Sequence, residues 1–118
     1  MTTTRVLAFA LVATAGVSQA AEGDPSYVIT WKNTKGYWFA RGPVQETSFG
    51  EKTEDAAAKL VIGYTSNKAG INRPADATYK GSHQAGGTVY NVYYLSRKDE
   101  RGDRPTYSWL KAKGITIK

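Results

Sequence analysis

Several short runs of the chain place large residues at every second position. The strongest local signal, Tyr27 to Arg41, reads Tyr-Val-Ile-Thr-Trp-Lys-Asn-Thr-Lys-Gly-Tyr-Trp-Phe-Ala-Arg. Tyr27, Ile29 and Trp31 alternate with Val28, Thr30 and Lys32, a period that puts the three large side chains on one face of a strand. Beyond the polar Asn33-Thr34-Lys35-Gly36, Tyr37 and Phe39 share one face while Trp38 and Ala40 share the other. Two aromatic, β-branched runs around a turn ending in glycine predict a β-hairpin, with Gly36 at positive φ. Burying each large side chain is worth roughly 1.5–3 kcal/mol against a net stability of about 5–15 kcal/mol, so these aromatics are read as core rather than as a ligand platform.

Arg41-Gly42-Pro43 ends the hairpin, because Pro43 lacks a ladder donor, and residues 44–52 form an irregular connection. Thr53-Glu54-Asp55 then supplies a capping residue and two acids at the positive end of a helix dipole. Ala57, Leu60 and Val61 fall on one helical face, and Gly63 is a natural stop. The spacing predicts a helix over Glu54–Ile62, with a strand over Lys59–Thr65 as its rival. Ser66 to Gly87, with only Ile71 and Tyr79 as large apolar residues, reads as a long loop holding a short strand near Ala77–Lys80. Thr88–Leu95 is apolar on both faces and reads as a central strand. A charged loop, Arg97–Arg104, precedes Pro105 and an expected strand over Thr106–Lys111, with Tyr107 and Trp109 on one face. Lys113-Gly114 makes a turn, and Ile115 and Ile117 mark a short terminal strand. The fold class is therefore α+β or mainly β: a small antiparallel sheet or sandwich of about five strands with one short helix.

Met1 to Ala20 changes the picture of where this domain works. Arg5, the apolar run Val6–Val17 and the small residues around Ser18-Gln19-Ala20 have the layout of a secretory signal peptide, and the run is too short to span a bilayer. Residues 21–118 are then a single secreted β-rich domain with no membrane anchor expected. The chain has no cysteine, so aromatic burial replaces the disulfides that small exported domains commonly use, and thiolate zinc is excluded. No cofactor or metal is expected.

Charge is divided unevenly. Residues 22–55 carry four basic and six acidic side chains, whereas residues 56–118 carry eleven basic and four acidic ones. The basic half favours an anionic partner, and Arg73, Lys80, Tyr94, Arg97, Lys98, Arg101 and Arg104 are the candidate contact residues. Tyr90, Tyr93 and Tyr94 beside Arg97 and Lys98 suit base stacking in a cationic groove. Arg101-Gly102-Asp103 is an RGD tripeptide in an exposed setting, and also ordinary turn chemistry. A metal-free nuclease would need a base, an acid and a cation, for which His83, Glu46 or Glu51, and Arg41, Arg73 or Lys80 are the available groups. No nucleophile elbow and no P-loop is present.

The leader-like Met1–Ala20, the size of the remaining domain and the strands at Tyr27–Trp31, Tyr37–Arg41, Thr88–Leu95, Thr106–Lys111 and Gly114–Ile117 resemble small secreted effectors of plant-pathogenic fungi. The similarity is to the β-sandwich effectors of blast fungi and their relatives. That resemblance implies a virulence factor, secreted and in some cases passed on into a host cell, that binds a host protein rather than catalysing a reaction. Nucleic acid and an acidic glycan are the other partner classes suggested by the charge. The function expected is that of a non-enzymatic binding protein acting through a basic surface, with a secreted ribonuclease or nucleic-acid-binding protein as the alternative.

Overall fold

The hairpin forms where the alternation puts it. In the computed structural model, which describes residues 24–62, 70–71, 73–96 and 106–117, strand β1 runs Ser26–Lys32 and β2 runs Trp38–Arg41. They pair antiparallel with Trp31 opposite Phe39 and Lys32 opposite Trp38. Asn33 holds the intervening loop, its Oδ1 accepting from the backbone nitrogens of Lys35 (3.0 Å) and Tyr37 (2.9 Å). Gly36 takes the expected positive φ. Strands β3 (Thr78–Ala85) and β4 (Thr88–Ser96) complete one antiparallel sheet in the order β2-β1-β4-β3. The central place of β4 is as its two apolar faces require.

β3 corrects the reading of Ser66–Gly87 as a loop: the short strand near Ala77–Lys80 continues to Ala85. Its side chains are mostly polar because it is an edge strand, so little apolar alternation marks it. Ala85 pairs with Thr88 across Gly86 and Gly87, both at positive φ (58° and 82°), which makes a two-residue hairpin loop of the kind that glycines favour.

Helix α1 (Glu54–Lys59) starts as predicted, with Thr53 Oγ1 accepting from Ala56 N at 3.1 Å. Ala57, Ala58, Val61 and Ile62 pack on Val28, Ala40 and Leu95, whereas Leu60, expected on the buried face, is exposed. Gly42 permits this approach: a Cβ there would lie 2.1 Å from the carbonyl oxygen of Val61.

The expected strand at Thr106–Lys111 is a helix, α2 (Thr106–Ala112). Its pairs lie four apart: Lys111 Nζ sits 5.1 Å from the Tyr107 ring, and Lys113 Nζ 4.6 Å from that of Trp109. Lys113-Gly114 is the end of this helix, not a hairpin turn. Ile115 N donates to Leu110 O and Gly114 N to Lys111 O, both at 3.0 Å, which is a Schellman closure. Residues 115–117 take no regular structure instead of the expected terminal strand, and Ile115 packs on Leu110 in the core. A backbone donor marks where α2 meets the sheet. The β1–β4 register shifts between Ser26 and Tyr27, and Tyr27 N donates instead to Thr106 Oγ1 at 2.7 Å.

The described residues thus form the expected small antiparallel α+β fold, as one sheet of four strands where about five were expected and with a helix on each face where one was expected. Tyr27, Ile29, Tyr90 and Val92 join Leu110 and Ile115 under α2. Among the described residues no helix is long and apolar enough to cross a membrane.

Candidate functional site

α1 is too short to cover its side of the sheet. Six residues of helix span about 9 Å, while four strands span about 14 Å. It covers Val28, Ala40 and Leu95, with Trp38 and Tyr93 half-buried against the same cluster and Thr30 buried beneath Glu54. Beside its first turn it leaves a shelf on which Lys32, Ser82, Gln84 and Val89 are exposed. Cross-strand pairing sets the shelf out in rows: Trp38 beside Lys32, Val89 beside Gln84, Thr30 beside Asn91 beside Ser82, and Tyr93 beside Tyr79. Directly paired residues project to one side, so these side chains share one surface.

Glu54, the first residue of α1, fixes the polar part of the shelf. Its Oε2 accepts from Thr30 Oγ1 (2.6 Å), Tyr93 Oη (2.8 Å) and Asn91 Nδ2 (3.4 Å). Asn91 Oδ1 accepts from Ser82 Oγ at 2.7 Å, and Ser82 Oγ lies 2.7 Å from Tyr79 Oη. The Asn91 amide is thereby oriented at both ends. Burial first, then the hydrogen bond to Glu54, pushes the Tyr93 phenol above its ordinary value. The Tyr79 and Tyr93 rings stand 5.3 Å apart at one end of the shelf.

At the other end an open depression of about 570 Å³ lies between the β1–β2 loop and the start of β4. Trp31, Lys32, Asn33, Trp38, Val89 and Asn91 are among the residues lining it, and among the described residues Lys32 is the one charged group of the lining. Lys32 Nζ is held 5.3 Å from the Trp38 ring. Val89 is 51% exposed although it stands on a central strand.

The other face is closed by aromatic packing. Trp31 stacks on Phe39 (6.2 Å) and on Trp109 (5.7 Å), with Tyr90 edge-on at 5.3 Å. Lys113 caps this group over Trp109 and Tyr90. The reading of the hairpin aromatics as core holds for Tyr27, and Trp31 packs half-buried against the same cluster while also reaching the lining of the depression. Phe39 is half-buried outside both core clusters, and Tyr37, expected in the core, is exposed because the Asn33 loop takes it in.

Of the candidate contact residues, Arg97, Lys98, Arg101 and Arg104 lie outside the described residues, and the RGD tripeptide with them. Arg73 bonds to Asp76 (3.3 Å) at the start of the 3₁₀ turn Pro74–Asp76, and Asp76 raises its already high pKa. Lys80 sits on β3, its carbonyl 3.1 Å from His83 Nε2. Tyr94 belongs to the other face, edge-on to Tyr27 at 6.0 Å. Tyr90 is on that face too and Tyr93 is on the shelf, so the three tyrosines make no continuous stacking row.

The nuclease set is not brought together either. Glu46 and Glu51 bridge to Arg41 and Trp38 along the outer edge of β2, whereas His83 is on β3, the opposite edge of the sheet about 14 Å away. Among the described residues no group of three or more His, Cys, Asp or Glu side chains could hold a metal ion.

Sequence reasoning noticed Glu54 only for the helix dipole and passed over Asn91, Ser82 and the Lys32–Trp38 pair. The bonds to Glu54 join residues 24 to 39 positions apart, for which one sequence carries no signal. The Lys32–Trp38 pair was within reach of the hairpin pattern, but a loop of five residues instead of four sets its register. No family model, no curated protein and no solved structure matches the chain.

Proposed function

We propose that this protein is an exported, non-enzymatic binding protein, an effector that engages a host macromolecule with the uncovered shelf of its sheet. The observation that carries the reading is the shelf itself: Trp38, Lys32, Val89, Asn91 and Gln84 stand in register on a rigid sheet, Asn91 and the half-buried Trp38 border α1 and its core, and Lys32, Val89 and Gln84 beyond them are exposed. Sites built on strands are positioned more exactly than sites on loops, and Asn91 is already oriented before any partner arrives. Export is supported by the leader-like Met1–Ala20, and the effector role by the resemblance in size and strand pattern. The excess of basic over acidic side chains in residues 56–118 of the exported domain, eleven against four, favours encounter with an anionic partner.

The test is capture of host macromolecules on the immobilised protein, compared with its Val89→Glu variant. Val89 is exposed, so the substitution alters the shelf without emptying the core. Captured material that disappears with Val89→Glu supports the reading. Capture that survives it assigns contact to another surface. Robust RNA cleavage that is lost in His83→Ala replaces binding by the nuclease alternative.

A further inference from the structure

We propose that the depression beside Trp38 binds an acidic oligosaccharide, a chain of a few sugar units bearing carboxylates. This rests on the reading of the shelf as the contact surface and names its ligand class.

A sugar ring presents C–H faces bordered by hydroxyl groups. It is held by an aromatic plane beside it and by fixed donors and acceptors at its rim. The depression supplies both. Trp38 and Val89 give apolar surface, Asn33 and Asn91 give amides, and Thr34 and Thr88 give hydroxyls. Asn91 is set by Ser82 and Glu54, so little ordering cost falls on the ligand.

The charge comes from Lys32. Among the described residues it is the only charged one in the lining, it is exposed, and its ammonium stands 5.3 Å from the Trp38 ring. An exposed cation–π contact is weak, so the ammonium gives up little by turning to a carboxylate on a sugar stacked at Trp38. A nucleic acid strand, with a phosphate at every residue, asks for a row of cations, and the lining has one among the described residues. From Trp38 to Gln84 the shelf crosses all four strands, about 14 Å, which suits a short chain over a single ring.

Titration calorimetry of the protein with tetramers of glucuronic acid and of glucose tests this. The acidic tetramer is expected to bind at least about tenfold tighter than the neutral one, less so as salt is raised. Lys32→Gln should abolish that preference. Val89→Glu should weaken the acidic tetramer at least about tenfold through repulsion, and Trp38→Ala should weaken both tetramers. Lys32 and Val89 are exposed, so those two variants keep the test decisive even where Trp38→Ala disturbs folding. An acidic tetramer that does not bind, or that binds Lys32→Gln and Val89→Glu as tightly as the parent, overturns the assignment. If Val89→Glu still abolishes capture of some other macromolecule, the glycan falls and the shelf stands. If it does not, both fall.

Discussion

Glu54 ties a helix to three residues of the sheet through one carboxylate oxygen, which makes it the side chain whose loss costs most on the shelf. Glu54→Ala strands the donors of Thr30, Tyr93 and Asn91 in a partly buried setting. Leaving a buried donor unpaired costs about 1–3 kcal/mol, and water can reach part of this site, so a loss of about 1–3 kcal/mol in total is expected from urea unfolding. Tyr93 gives a second reading of the same cluster. Burial and Glu54 hold its phenol above the ordinary 10.0, so the folded chain keeps that proton more tightly than the unfolded chain does. Its contribution is whole below pH 10.0 and is lost as the pH rises from there through the folded value. The stability advantage of the parent over Tyr93→Phe should therefore be constant between about pH 7 and 9 and should shrink above about pH 10. An advantage that stays level to pH 11 or so would mean that neither burial nor Glu54 holds the Tyr93 proton in the folded chain.

Elements differ in how far their own residues announce them. The β1–β2 hairpin was legible because strand propensity, alternation and the Asn33–Gly36 turn agree. α1 was legible through its cap and its alanines. α2 was not, because Thr106, Tyr107 and Trp109 favour strands, and Tyr107 and Trp109 mimic a period of two. Tertiary contact decides it: Leu110 enters the core, and Lys111 and Lys113 lie back over rings four residues earlier. Part of the basic excess of the second half is thereby used to cover aromatics rather than to meet a partner. Thr106 makes the strand-to-helix exchange testable. Its Oγ1 takes the Tyr27 N–H at the point where the β1–β4 register shifts. Thr106→Val keeps the shape and removes that acceptor, so unfolding should become easier by about 1–3 kcal/mol, read as a lower denaturant midpoint with an unchanged slope. A variant as stable as the parent would mean that the donor finds another partner.

At the scale of the molecule the open question for an isolated four-stranded sheet is what stops it from adding a fifth strand from a neighbour. The β2 edge is occupied by its own chain, through bridges of Trp38 with Glu51 and of Arg41 with Glu46. β3 has no such cover among the described residues, but its register breaks between Tyr79 and Ser82, where Lys80 and Gly81 together face one residue of β4. That bulge, with a lysine in it, bends the edge away from flat pairing. Deleting Gly81 would restore a regular ladder while leaving Ser82 opposite Asn91 and Tyr79 opposite Tyr93, so the shelf keeps its rows. The deletion is expected to promote edge-to-edge pairing, seen by sedimentation as a concentration-dependent rise in mass over the parent. A Gly81 deletion that folds and sediments as the parent does would show that the bulge does not guard this edge. The shelf's freedom to meet another molecule depends on the same protection, because sheet-to-sheet association along β3 would crowd Ser82 and Gln84 at the rim of the site.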